Sequence, residues 1–271
     1  MINIIHDKKI HRKIIEYTFA LILCSLNIIY FIEHGSYNIL PPSQIPKHLI
    51  FPIASLLCFI FIDITLPKSE EIICDKPPIT VFFVNFIISQ FIFITISGKQ
   101  LSNNYKLAIG LLLLIILAVT YFNKTNPIRA NFNVKAKYIL IIFIAFFIYK
   151  GLQVLALRKY AFTPRSSTIQ YLAIVAWNIL YPALYEETLY RYYLISIFKS
   201  YKLNDLTANI FQCIIFGLIH YSFYPFKELG VIYTLMACSG QAFLGFIFGK
   251  IYLRTKSLTY PIILHVLFDV I

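Results

Sequence analysis

Long apolar stretches separated by short polar segments follow one another along almost the whole chain. They occupy residues 14–32, 48–66, 79–97, 106–122, 138–157, 168–198, 206–223, 229–249 and 258–271. Most of them reach the roughly 17–25 residues with which an α-helix crosses about 30 Å of hydrocarbon. The pattern therefore predicts an all-α fold, a polytopic helical membrane protein with about eight transmembrane helices.

Two of these apolar runs have unusual lengths. The run at 168–198 would extend about 46 Å as one straight helix, which is more than the hydrocarbon thickness. Pro182 lies near its middle, and proline removes a helical hydrogen bond and clashes with the preceding turn. We therefore expect a kink or break at Pro182. The run at 258–271 is too short for an ordinary span and is expected to be buried against its neighbours.

Composition and charge support a membrane location. The chain is 59% hydrophobic and 13% charged, which is too apolar for a soluble domain of 271 residues. The net charge of +12 arises from basic residues that lie mostly between apolar runs, where they face anionic headgroups, so nucleic acid is not expected as a partner. Alternate loops hold 15 and 7 basic residues, a bias that predicts a cytoplasmic amino terminus on a retained first helix.

Ionisable side chains within apolar sequence are concentrated in the last third of the chain. The five earlier runs carry almost none at depth, since Asp63 and Lys150 lie near the ends of theirs. Each charge near the bilayer centre costs at least about 2.5–3.5 kcal/mol, so such groups pair, face a wet cavity or take part in chemistry. The carboxyl-terminal helices therefore carry a candidate polar cavity formed by Glu186, Glu187, Arg191, His220, His265 and Asp269.

Helical spacing separates the roles of these residues. Glu187 and Arg191 are four residues apart, on one helix face, and are expected to form an ion pair. Glu186 points about 100° away around the helix and is left without that partner. His265 and Asp269 also share a helix face, where the carboxylate can fix the imidazole tautomer.

The chemistry that fits this set is hydrolysis. A desolvated glutamate can act as a general base toward water, and histidines can bind a metal, polarise a carbonyl or donate to an oxyanion. A lone buried histidine or a lone Glu187–Arg191 pair would instead be typical of packing. Buried acids, imidazoles and an arginine could also form a proton relay in a transporter, or belong to an immunity or scaffold protein without turnover.

The three motifs resemble those of the CAAX protease and bacteriocin-processing family (CPBP, also called Abi). The family pattern is E-E-x-x-x-R, then F-x-x-x-H, then H-x-x-x-N or H-x-x-x-D, on successive helices. This chain has, in that order, Glu186-Glu187-x-x-x-Arg191, Phe216-x-x-x-His220 and His265-x-x-x-Asp269. The resemblance divides the chain into amino-terminal transmembrane helices at 1–167, about five of them, and a catalytic helical core at 168–271.

The resemblance implies an intramembrane endopeptidase that hydrolyses a peptide bond of a membrane-associated protein or peptide. Glu186 would activate the attacking water, His220 would assist, and His265 with Asp269 would flank the oxyanion. Arg191 would hold Glu187. Eukaryotic members have Asn at the position of Asp269, and an ionised aspartate cannot donate as an amide does. Asp269 must therefore be protonated, orient His265 or bind metal.

The resemblance leaves the cofactor open between a divalent metal such as zinc and none. The tentative ligand set, which the term metalloendopeptidase would require, is Glu186, His220, His265 and Asp269.

A serine protease of the rhomboid class would be a rival, using Ser239 with His265. Its G-x-S-G motif is not met, because Ala237 stands at the first glycine position. The H-E-x-x-H zinc motif is absent from the sequence.

Overall fold

A computed structural model describes residues 2–36, 49–67, 79–96, 103–122, 132, 134–157, 168–223 and 226–270. Within these ranges the backbone is helical apart from short turns and chain ends, and it contains no strand. The α-helices, in chain order, are α1 (Ile2–Ser36), α2 (Ile50–Thr65), α3 (Ile79–Ile96), α4 (Asn103–Phe122), α5 (Ala136–Leu157), α6 (Thr168–Asn178), α7 (Ile195–Ser200), α8 (Asp205–Ile219), α9 (Phe226–Thr255) and α10 (Thr259–Val270).

Three of the described helices are long and apolar enough to cross a membrane, over Ile10–Glu33, Ala136–Leu155 and Gly230–Thr255. Five shorter apolar helices accompany them: Ile50–Thr65, Ile79–Ile92, Ala108–Ala118, Asp205–Ile219 and Thr259–Val270. The all-helical fold and the integral membrane character that the sequence indicated are confirmed. The number of helices that cross the bilayer stays a prediction.

The long sixth run is broken where proline predicted a break. Tyr181, directly before Pro182, has extended backbone angles (φ −151°, ψ 125°) between helical neighbours. The segments on either side of the first glutamate, Ile179–Leu184 and Glu187–Leu194, are π-helical. Such wider turns are rare and frequently occur at functional sites. The glutamates therefore lie on a wide, buried helical segment instead of a regular membrane-crossing helix.

Helices α8 and α9 pack closely through two glycines of α9. Gly245 lies against the Phe216 ring, and Gly249 lies directly on the side chains of Asn209 and Gln212. Asn209 Nδ2 donates to the carbonyl of Phe246 at 3.0 Å, and Gln212 Nε2 donates to that of Gly245 at 2.9 Å. Small residues four apart allow backbones to approach, and interhelical hydrogen bonds strengthen the contact. This packing brings Phe216 and His220 close to α9.

The amino-terminal helices share a core with the carboxyl-terminal ones. One buried cluster joins Ala20 of α1, Phe59 of α2, Ile142 of α5, Phe246 of α9 and Leu264 of α10. Helix α10 packs against α5, α9 and the first π-helical segment, so the expected burial of the ninth run is confirmed. Residues 158–167, beside the predicted domain boundary, lie outside the described residues.

A second group of buried charges connects α1, α2 and α9. Asp63 Oδ1 lies 2.7 Å from Lys250 Nζ and 2.6 Å from Arg254 Nη2, and Tyr17 donates to Asp63 Oδ2 at 2.8 Å. Lys250 also pairs with Glu16. The predicted eighth run stopped at residue 249, whereas α9 continues to Thr255 and carries both cations into the bundle. Carboxylates on neighbouring helices neutralise the two cations, so this part of the helix can lie within the bundle.

Candidate active site

Glu187 lies at the centre of the buried polar groups. Its Oε2 is 3.0 Å from Arg191 Nε, and its Oε1 is 2.8 Å from His265 Nδ1. The side chains of Glu187 and Arg191 are 0% exposed, so the ion pair that their spacing predicted is confirmed and fully buried. An ionised carboxylate only accepts hydrogen bonds, so the N–H of His265 Nδ1 donates to Glu187. Glu187 thereby fixes the orientation of the imidazole.

The guanidinium of Arg191 is held by a charge and by aromatic faces. Within the described part of the chain none of its three nitrogens makes an aligned hydrogen bond, although Nε is close to Glu187. Its Cζ lies 4.2 Å from the ring centre of Phe216 and 5.3 Å from that of Phe248. Cations within about 6 Å of a ring centre are attracted by the negative π face, most strongly where water is excluded. The two rings therefore replace part of the missing hydration of Arg191.

The second nitrogen of His265 faces two more carboxylates. Nε2 is 3.5 Å from Asp269 Oδ2 and 4.0 Å from Glu186 Oε2. Glu186 is buried, and its Oε2 has no hydrogen-bond partner among the described residues. Asp269 is 36% exposed, so the group of polar side chains opens to the outside at this residue. The expected shared face of His265 and Asp269 is confirmed, and three carboxylates converge on one imidazole.

His220 begins the 3₁₀ turn His220–Phe223 that ends α8. Its Nδ1 is 2.7 Å from the carbonyl oxygen of Phe216, and its ring centre is 4.8 Å from the Phe216 ring. A carbonyl only accepts, so Nδ1 carries a proton and the neutral ring keeps Nε2 as an acceptor. His220 also interacts electrostatically with His265 and Arg191. The structure thus brings all six residues of the predicted cavity into one region, with His220 joined to it through Phe216.

The predicted metal site is not formed by the described side chains. In the described residues no three His, Cys, Asp or Glu side chains are grouped as they would be around a metal ion. The set Glu186, His220, His265 and Asp269 does not fit a ligand shell in this structure.

The serine-protease alternative has no support in the geometry. Ser239 Oγ donates to the carbonyl of Met236 in its own helix at 2.5 Å. Both ring nitrogens of His265 face carboxylates instead of a hydroxyl. Ser239 and His265 therefore do not form a nucleophile–base pair.

Sequence reasoning missed one residue that contacts the site. The Phe248 ring stacks on the His265 imidazole, with centres 5.1 Å apart and planes 25° apart, and also faces Arg191. No motif contains Phe248. The available signal was its place between Gly245 and Gly249, because closely spaced glycines indicate a helix face that packs tightly against another helix.

Comparison with known proteins adds one finding. Residues 168–271 match the family model described as Type II CAAX prenyl endopeptidase Rce1-like. The searches of curated proteins and of solved structures gave no match. The match contains all three motifs and less than half of the chain. Residues 168–271 are therefore similar to the CAAX protease (CPBP) family, a likeness that suggests a membrane-embedded peptidase.

Proposed function

We propose that the protein is an intramembrane endopeptidase in which Glu186 activates water for attack on a peptide bond. The observation that carries the proposal is the convergence on His265. Glu187 holds Nδ1 at 2.8 Å, and Nε2 faces Glu186 and Asp269 at 4.0 and 3.5 Å. An imidazolium fits this arrangement, because Nδ1–H donates to Glu187 and the positive charge at Nε2–H faces Glu186 and Asp269.

The attacking water lies between Glu186 and His265 in this proposal. A water with two hydrogen bonds of about 2.8 Å can bridge atoms 4.0 Å apart, as Glu186 Oε2 and His265 Nε2 are. Glu186 Oε2 is buried and has no partner among the described residues, so it can accept a hydrogen bond from this water. The carboxylate takes a proton from water while the water oxygen bonds to the peptide carbon.

The tetrahedral intermediate is stabilised by His265. The carbonyl oxygen becomes an oxyanion, which accepts a hydrogen bond from His265 Nε2–H. His220 assists without donating to the oxyanion, because its Nδ1 proton is held by the Phe216 carbonyl. The C–N bond then breaks as Glu186 returns the proton to the leaving amine. Asp269 acts through His265, since an ionised aspartate accepts and cannot donate to the oxyanion. Glu187 and Arg191 position His265 and touch no reacting atom.

The substrate is a membrane-associated peptide or protein. A soluble peptide would have to leave water for a site inside an apolar bundle, whereas a chain anchored in lipid is already at that depth. Asp269, the most exposed of the carboxylates around His265, marks the side from which the peptide approaches. Substrate and lipid bilayer are the partners that this assignment requires.

Cleavage of a membrane-associated peptide by purified protein in detergent tests the assignment. Glu186→Gln should abolish turnover, since the amide cannot take a proton from water, and should leave the protein folded. Ser239→Ala, which removes a buried hydroxyl bonded only within its own helix in the described structure, is the control and should retain full activity. Full turnover by Glu186→Gln would overturn the assignment of the base.

The same variant separates catalysis from the alternatives. A proton relay in a transporter should give a proton flux in liposomes that Glu186→Gln abolishes, without peptide cleavage. An immunity or scaffold protein should show neither cleavage nor flux. Either result would replace the proposed function.

We further propose that the amino end of α1 faces the cytoplasm. Lys13 lies 3.7 Å from Asp63 at the end of α2, and Arg254 at the end of α9 donates to the carbonyl of Leu66. These contacts bring Lys13 and Arg254 to the same end of the bundle. Basic residues favour the cytoplasmic side of a membrane. A cysteine introduced at position 12 should react with impermeant maleimides in inverted vesicles and not in intact cells.

A further inference from the structure

Two phenylalanines connect Arg191 with the two histidines. Phe216, on α8, lies 4.2 Å from Arg191 Cζ and 4.8 Å from the His220 ring. Phe248, on α9, lies 5.3 Å from Arg191 Cζ and 5.1 Å from the His265 ring. Each ring therefore places one face or edge near a fully buried guanidinium and another near an imidazole. Phe216 belongs to a family motif, and Phe248 does not.

The contacts of Phe248 differ from ordinary core packing. Its ring is 1% exposed and nearly parallel to the His265 imidazole, at 25°. A parallel neighbour restricts rotation of the imidazole about its own bonds, because any turn drives the ring edge into the phenyl face. The orientation kept in this way is the one that directs Nδ1 to Glu187 and Nε2 toward Glu186.

Phe248 also compensates for a shortage of hydrogen bonds at Arg191. None of the guanidinium nitrogens has an aligned partner among the described residues, and the side chain is 0% exposed. The closest attractions that remain are the Glu187 carboxylate and the two aromatic faces. Without the Phe248 ring, the Arg191 guanidinium can shift along the Glu187 carboxylate. That shift moves Glu187 Oε1, which accepts the hydrogen bond from His265 Nδ1.

We propose that Phe248 is a positioning residue of the peptidase site, holding Arg191 and His265 together through the π face of its ring. The inference rests on the proposed function. It assigns Phe248 no contact with substrate or reacting atoms. Its effect should therefore appear in kcat and not in KM.

Graded fluorination of the ring is the most direct test. Incorporation of mono-, di- and trifluorophenylalanine at position 248 weakens the π face in steps while it changes the ring volume little. We expect kcat to fall stepwise, by about tenfold in the trifluoro protein, with KM unchanged and the protein still folded. A purely packing role predicts the same kcat across the series.

Phe246 offers a matched control on the same helix. It is 0% exposed, and its ring contacts are with Phe19 and Phe59 of α1 and α2, away from the polar site. Trifluorophenylalanine at position 246 should leave kcat unchanged. Phe248→Leu and Phe246→Leu form the conventional pair. Both variants should be less stable than the wild type, but only folded Phe248→Leu should have a lower kcat.

A magnetic resonance measurement separates failure of this inference from failure of the proposed function. The stacked Phe248 ring shields the ring protons of His265, so Phe248→Leu should move the His265 signal downfield while Phe246→Leu leaves it in place. The signal is assigned by its loss in His265→Gln. If the wild type cleaves nothing but the signal moves, the positioning stands and the peptidase proposal falls. An unmoved signal or an unchanged kcat in the fluorinated series overturns the role of Phe248.

Discussion

The same substitution at two adjacent buried glutamates should change the thermal stability of the protein to very different extents. Glu187→Gln keeps the shape of the side chain and removes the charge that faces Arg191 at 3.0 Å. Glu186→Gln removes a charge whose nearest ionisable partner in the described structure is His265, at 4.0 Å. Both side chains are buried in the same helical segment. The pair therefore isolates the effect of an ionic partner from that of burial.

The expected magnitude follows from the burial of Arg191. Its guanidinium is 0% exposed and depends on Glu187 for its counter-charge. Breaking a buried ion pair by removing one partner costs about 3–5 kcal/mol, because the remaining charge is left uncompensated. At about 2–4 °C per kcal/mol, Glu187→Gln should lower the Tm by about 10 °C. Glu186→Gln should leave the Tm within about 2 °C of the wild type or raise it, because the imidazolium that Glu186 faces at 4.0 Å keeps Glu187 and Asp269 as partners.

The assay is thermal unfolding of the detergent-purified variants, followed by near-UV circular dichroism at one protein concentration. The double variant Glu187→Gln/Arg191→Met serves as the control. It removes both charges and leaves no uncompensated cation, so it should recover most of the lost Tm. Equal Tm values for the Glu186 and Glu187 variants, or no recovery in the double variant, would refute the view that Glu187 is held in place by Arg191.

Three further variants test other parts of the structure. Asp63→Ala removes the shared carboxylate of Lys250 and Arg254 and should lower the free energy of unfolding by about 3 kcal/mol in a denaturant titration. Gly249→Ala places a methyl group on the Asn209 side chain and should reduce both Tm and activity, whereas Gly151→Ala, with open space around it, should leave activity unchanged and should not lower the Tm. Ser239→Ala should retain full activity and insensitivity to serine-reactive phosphonates, and a phosphonate inhibition that this variant removes would contradict the assignment.

The sequence predicted those features of the site that depend on neighbours within one helix. The Glu187–Arg191 pair and the shared face of His265 and Asp269 both follow from a four-residue separation. The break at Pro182 follows equally from local chemistry, because proline has no N–H to donate. In each case the geometry of one helix fixes the outcome, whichever helices surround it.

Contacts between helices could be predicted less well from the sequence. Spacing along α10 suggested Asp269 as the partner that fixes the His265 tautomer, but Glu187 from another segment occupies Nδ1. The π-helical turn of Glu187–Leu194 has no signature in the pattern of apolar residues. Which side chain reaches an imidazole first depends on the rotation and depth of two helices, and neither quantity is encoded in spacing along one of them.

The buried charges of Lys250 and Arg254 are a second case in which the sequence of one helix does not predict its contacts with other helices. By hydropathy alone they mark the end of the eighth run, since each costs several kcal/mol in lipid. In the structure Asp63 and Glu16, which come from α2 and α1, neutralise them. A charge within an apolar helix can therefore signal a partner on another helix instead of a loop.

The position of this charge cluster also bears on how the site is held. Helix α9 presents Phe248 to Arg191 and His265. Half a turn further along, its Lys250 is fixed by Asp63 and Glu16 on the amino-terminal helices. A shift of α9 along its axis would have to break buried ion pairs at one point and unstack the imidazole at the other. The amino-terminal helices, which contribute no motif residue, thus restrain the helix on which the orientation of His265 depends.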